Sequence, residues 1–187
     1  MADLRSYASL RNKYTLKEYE DIYPQLFSSE RKRLSVVLEG LFLEIVHIGS
    51  TAIPRMPGKG IIDIYISVSD KLVSSVKQRL IEQGGYEYRV TGGDDRRLFF
   101  QKEIDGRRYH VHVTDPKNPD LQNAILFRDH LRANPSDART YAEIKVKASE
   151  AALKFRTRNS MKNAYNNIKD SLIKEIMKKI KDQSRSH

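Results

Sequence analysis

Two stretches decide how this chain is read: residues 47–54, His-Ile-Gly-Ser-Thr-Ala-Ile-Pro, and residues 58–68, Gly-Lys-Gly-Ile-Ile-Asp-Ile-Tyr-Ile-Ser-Val. Leu43–Ile48 is apolar enough to be a strand, and Gly49–Gly60 is rich in Gly, Pro and Ser and reads as a loop. Ile61–Val68 is β-branched and apolar, the composition of a strand central in a sheet. Strand alternation puts Asp63, Tyr65 and Ser67 on one face and Ile62, Ile64, Ile66 and Val68 on the other. A carboxylate in such a strand is costly to bury alone, so Asp63 is either paired, with Lys59 or an arginine, or it faces a site. Gly49-Ser50 ends the preceding strand. Glycine lets a phosphate approach the main chain closely, and the unpaired amides of such a turn form an anion nest.

Around this centre the pattern mixes α and β. Thr15–Tyr23 is ambiguous between strand and helical turn. Pro24 opens a helix to about Leu38, with Gly40 as its stop. Asp70–Gln83 reads as a helix ended by Gly84-Gly85. Tyr86–Val90, Arg96–Glu103 and Arg107–Thr114 read as strands, the last two joined by the hairpin signal Ile104-Asp105-Gly106. Asn118-Pro119 and Asn134-Pro135 each have the form of an N-cap before a first-turn proline, starting helices near 119–133 and 135–156. A final helix spans about 160–182. The expected architecture is a single α+β domain over residues 1–187. A sheet-containing core covers about 15–115, with a helical part at about 118–183 packed on it.

Composition closes off several classes. At 187 residues, with 39% hydrophobic and 31% charged residues, the chain is long enough to build a hydrophobic core. It contains no cysteine, which excludes disulfides, thiolate metal sites and cysteine nucleophiles and fits a cytoplasmic protein. No segment is apolar enough to cross a bilayer, and residues 1–16 lack the apolar centre of a secretory signal. The formal net charge is +10, and Arg139–His187 holds 13 basic against 5 acidic residues, so the excess lies at the C-terminal end. That stretch reads first as a solvated helix face, then as steering for a phosphate ligand; RNA is suggested by charge alone.

His110-Val-His112 is the second group with chemistry. On a strand both imidazoles share a face. If that strand lies beside Asp63, then Asp63, His110 and His112 form a candidate metal site, or the histidines contact phosphate. His47 is a candidate for orienting the Gly-Ser turn, and Lys59 for meeting either Asp63 or a phosphate.

The blocks HIGSTAIP, GKGIIDIYISV, RYHVHV and LFRDHLRANP, in this order, resemble the GrpB-like family, as does Tyr165-x-x-x-Lys169-x-x-x-Ile173. The likeness runs from about Tyr19 to Lys179. It implies a nucleotidyltransferase-type fold in which Gly49, Ser50 and Thr51 bind phosphate, Arg128 and Lys169 fall on family positions that assist, and Asp63 is the catalytic acid. In active transferases of that superfamily a second acid, two residues on, helps to hold magnesium. Here that position is Tyr65, a neutral phenol and a poor ligand for a hard cation. The resemblance therefore implies binding of a nucleotide or another phosphorylated small molecule, with Mg, Mn or Zn as the divalent cofactor of any transferase activity. A non-catalytic accessory module and an RNA-binding or RNA-modifying protein are the alternatives.

Overall fold

The computed structural model describes residues 11–93 and 96–185. Most of the N-terminal stretch read for a secretory signal lies outside those residues. The described residues divide into two compact units: 20–53 with 60–93 and 96–128, and 11–19 with 54–59 and 129–185.

The first unit is built on a five-stranded mixed sheet. Its strands are β1 (Glu44–Ile48), β2 (Ile61–Ser67), β3 (Glu87–Tyr88), β4 (Arg97–Ile104) and β5 (Arg107–Thr114), in the order β1-β2-β5-β4-β3. Only β2 and β5 run parallel. Asp105 and Gly106 both have positive φ, the requirement of the tight turn joining β4 to β5. One face of the sheet is apolar. Ile62, Ile64, Ile66, Phe100 and Val111 are fully buried there, each contributing about 1.5–3 kcal/mol of burial. Helix α1 (Tyr23–Val37), begun by Pro24, contributes Leu34 to the core, and α2 (Val73–Glu82) contributes Val76 and Leu80.

Several boundaries differ from the sequence reading. The helix expected from Asp70 begins as a 3-10 turn at Asp70–Leu72 and becomes α-helical only at Val73. The strand expected over 86–90 shrinks to Glu87–Tyr88, because a 3-10 turn takes Val90–Gly92. Of the two predicted caps, Asn118 works as one: its side-chain oxygen accepts the amide of Asp120 at 2.8 Å. Asn134 does not. Its amide turns back to donate to the carbonyl of His130 at 2.8 Å.

Helix α3 (Pro119–Ala133) places Leu121, Ala124 and Ile125 against Val46, Ile48 and Tyr65, so part of the sheet's second face is covered as well. In the second unit, α4 (Pro135–Leu153) and α5 (Arg158–Arg185) enclose a cluster of Tyr14, Ala148, Ala152, Met161 and Tyr165. Asp137 there accepts from both His130 at 2.6 Å and Lys179 at 2.7 Å. Among the described residues no helix is long and apolar enough to cross a membrane.

Candidate functional site

Strand register sets out the second face of the sheet in rows. One row runs Ile48, Asp63, His110, Gln101 and Glu87; the next runs Val46, Tyr65, His112 and Phe99. Within a row, neighbouring side chains stand close enough to interact directly. Asp63 Oδ1 lies 3.3 Å from His110 Nδ1, and each side chain keeps about a quarter of its surface exposed, 26% and 24%. The carboxylate thus stands open to solvent beside an imidazole.

The turn before β2 is shaped around that carboxylate. Gly49 has φ 75° and ψ −170°, a conformation essentially reserved for glycine. A side-chain carbon built on it would stand 2.5 Å from Asp63 Oδ2 and 3.2 Å from Asp63 Cβ and Cγ. The space a β-carbon would fill is where Asp63 packs. Ser50 begins the 3-10 turn that follows and is half-buried. Thr51 is buried; its hydroxyl donates to the Ile61 carbonyl at 2.9 Å and lies 3.0 Å from His47 Nε2. Its hydroxyl therefore braces the loop.

His47 belongs to the opposite face, paired with Ile64 and stacked on Phe27 at 4.5 Å between ring centres. From there it reaches Thr51, so its contact with the Gly-Ser turn comes from behind the sheet. Arg128 donates to the carbonyl of His47 at 2.7 Å and so anchors the end of β1.

His112 does not share the carboxylate in the way the sequence suggested. It faces Tyr65 and Phe99, each at 5.0 Å between ring centres, and its Nδ1 is buried without a hydrogen-bond partner. Burial is the main force pushing this imidazole down from 6.5 to about 4; the charges of Arg97 and His110 add to it and Asp63 opposes it. His112 is neutral at pH 7. Among the described residues no three His, Asp or Glu side chains gather as a metal site requires. The expected trio Asp63, His110 and His112 is therefore not assembled, because His112 packs against the rings of Tyr65 and Phe99 with its Nδ1 buried.

Tyr65 occupies the place of the second acid, and its phenol oxygen accepts from Arg97 at 3.2 Å. A phenol beside a guanidinium adds positive charge where a pair of hard cations would need carboxylates, so these residues do not fit a two-metal centre.

Lys59 and Lys169 belong to the second unit. Lys59 Nζ lies 4.8 Å from the ring centres of both Tyr14 and Tyr165, and Lys169 Nζ lies 4.5 Å from that of Tyr165. Burial pushes the Lys169 ammonium below its ordinary value, with Asp170 opposing. Sequence reasoning missed Phe99, Gln101 and Arg97 on the polar face. The signal was present, since the tight hairpin after Ile104 fixes which β4 residues oppose His110 and His112.

Comparison with known proteins places this arrangement. A family model described as GrpB protein matches residues 13–179, and the chain belongs to that family. The UPF0157 protein YqkA of Bacillus subtilis (strain 168) is 37% identical over 127 residues, which is 68% of this chain and 37% of that relative. The chain thus spans little more than a third of that protein. The crystal structure of the conserved protein GrpB from Enterococcus faecalis superimposes with a TM-score of 0.69 at 27% identity, covering 87% of this chain and 99% of that one. A Cid1 poly(U) polymerase solved with Mg 3'-dATP bound matches with a TM-score of 0.50 at 12% identity, over 80% of this chain and 48% of the polymerase. At that identity the likeness concerns the fold alone, which is of the nucleotidyltransferase type.

Proposed function

We propose that this protein binds a phosphate-bearing small molecule of the nucleotide class on the polar face of its sheet, where the Gly49-Ser50 turn meets Asp63. The observation that carries the reading is the contact between Gly49 and the Asp63 carboxylate. It joins an open backbone turn, able to approach an anion, to the one acid of β2, and the acid remains reachable by solvent. Gly49 and Ser50 supply the anion-facing backbone. Asp63 orients the ligand through its hydroxyl or amino groups, and a single carboxylate also leaves room for one cation carried in by the phosphates. Arg128 and His47 act on the turn from behind, and Thr51 holds its shape.

The missing second acid favours one further reading, a binding module without catalysis. Thermal denaturation with millimolar nucleoside mono-, di- and triphosphates, with and without Mg²⁺, Mn²⁺ or Zn²⁺, tests the proposal. A rise in Tm that Asp63→Asn and Gly49→Ala abolish supports it. No rise with any nucleotide, or a rise that both variants keep, refutes it.

A further inference from the structure

The row that holds Asp63 continues away from the Gly49 turn into a second feature. His110, Gln101, Glu103 and Arg108 line a cleft of about 360 Å³ on the far side of the carboxylate. His110 Nδ1 faces Asp63 Oδ1, and the ring stands edge-on to Phe99 at 5.0 Å between centres and an 83° angle. A carboxylate accepts hydrogen bonds and cannot donate when ionised, so it selects the tautomer with its proton on Nδ1. The Nε2 lone pair then belongs to the other side of the ring. At 3.3 Å the contact is longer than a charge-assisted hydrogen bond, as is common at catalytic pairs before ligand binds.

From this geometry we infer that His110 is the general base of a hydroxyl-to-phosphorus transfer, with Asp63 as its positioning residue and the cleft as room for the body of a reactant whose hydroxyl reaches past the imidazole toward the turn. The inference rests on the phosphate-binding reading above and adds the reaction and the second substrate. A hydroxyl oxygen, from water or from an alcohol, forms a bond to the phosphorus of the ligand held at the turn. The bridging P–O bond breaks and its electron pair leaves with the bridging oxygen. The hydroxyl proton passes to His110 Nε2. No step needs a second carboxylate on β2, where Tyr65 stands. The charged groups around the imidazole are Asp63 from β2, Glu103 and the Gln101-bound Glu87 from β4 and β3, and Arg108 on its own strand, with the neutral His112 beside it.

The test uses the full chain and two independent readouts. Diethyl pyrocarbonate acylates an accessible imidazole nitrogen with a free lone pair, and peptide mass spectrometry reports the rate at each histidine. We expect His110 to react faster than His47, His112 and His130, and Asp63→Asn, whose amide can turn its N–H₂ toward Nδ1 and reverse the tautomer, to slow it. Nitrogen-15 NMR of the imidazoles identifies the tautomer directly in both proteins. Equal rates at His110 and the buried His47, or an Nε2-protonated ring in the unmodified protein, overturn the inference even if nucleotides bind. A reactive, Nδ1-protonated His110 in a protein that binds no nucleotide leaves the base standing and removes the phosphate-binding reading. The second readout is release of phosphate or pyrophosphate from nucleoside triphosphates, with water alone or with added alcohols. His110→Gln should lower it by about 10²-fold while the nucleotide-induced rise in Tm is kept. Turnover unchanged by His110→Gln refutes the role; the alcohol arm shows whether water or an alcohol occupies the cleft.

Discussion

Replacing Gly49 by alanine tests the relation on which the candidate site depends. Two costs follow from its geometry. The first is conformational: φ 75° with ψ −170° is strained for any residue bearing a β-carbon, at about 1–3 kcal/mol. The second is steric, because the new methyl would stand 2.5 Å from Asp63 Oδ2, closer than real contacts allow. The carboxylate must rotate away, leaving its place beside His110. Asp63→Ala removes the oxygen and leaves only its β-carbon, at 3.2 Å, which small shifts can accommodate. The two substitutions should therefore couple. Gly49→Ala should cost about 2–4 kcal/mol alone and about 1 kcal/mol less in the Asp63→Ala background. Urea denaturation of the four proteins of the cycle measures this. Additive effects, or a Gly49→Ala cost under about 0.5 kcal/mol, would show that the turn and the acid are not packed together, and the site would dissolve with them.

Other expectations follow from the same contacts. His112 is depressed in the folded chain from 6.5 to about 4, so its neutral form is the one folding favours. Stability should be unaffected by this group above about pH 6.5 and fall as pH drops toward 4, by up to about 3 kcal/mol at about 1.4 kcal/mol per pH unit. His112→Asn should flatten that part of the pH–stability curve; an unchanged curve would disprove the buried neutral imidazole. Glu30 is buried and receives Arg33 at 2.5 and 2.9 Å and the Tyr86 hydroxyl at 2.8 Å, so Glu30→Ala should destabilise by about 3 kcal/mol in urea, the low end for a buried pair because Arg33 is a third exposed. Asp137 is held below its ordinary range by its hydrogen bonds from Lys179 and His130, so the stability it contributes should be lost as pH falls through its folded value. Asp137→Asn should remove that acid-side loss, readable in thermal melts between pH 7 and pH 3.

Much of the fold was legible because local chemistry fixes it. The alternation of Ile61–Ser67 survives as one buried apolar face and one polar face, and Asp105-Gly106 adopts the positive φ that its turn demands. Asn118 caps a helix as its position suggests, whereas Asn134 has the same signature and donates elsewhere, since a nearby carbonyl competes for its amide. The site was legible in part. That Asp63 lies beside the Gly49 turn depends on antiparallel pairing of Ile48 with Asp63, which short separation makes accessible to inference. That His110, and not His112, stands opposite Asp63 depends on the offset between two parallel strands joined by a long connection. Local pattern does not encode that offset, and shifting it by two residues would exchange the two histidines. His47 reaches the turn through Thr51 from the opposite face, a side of approach that its position two residues before the turn does not by itself reveal.

The brevity of β3 has a consequence for how these molecules meet one another. Its two residues pair with Phe100 and Gln101, and the turn that follows lies against Phe99 and Arg97, so among the described residues the margin left open is the C-terminal end of β4. A sheet margin left that bare invites a strand from a neighbouring chain. Here that end carries Lys102 and Glu103, whose charges make a flat, dry seam with another copy unfavourable. Solubility at this border is thus entrusted to side-chain charge instead of to a covering strand, and neutral replacements along β4 would be the first place to look for self-association.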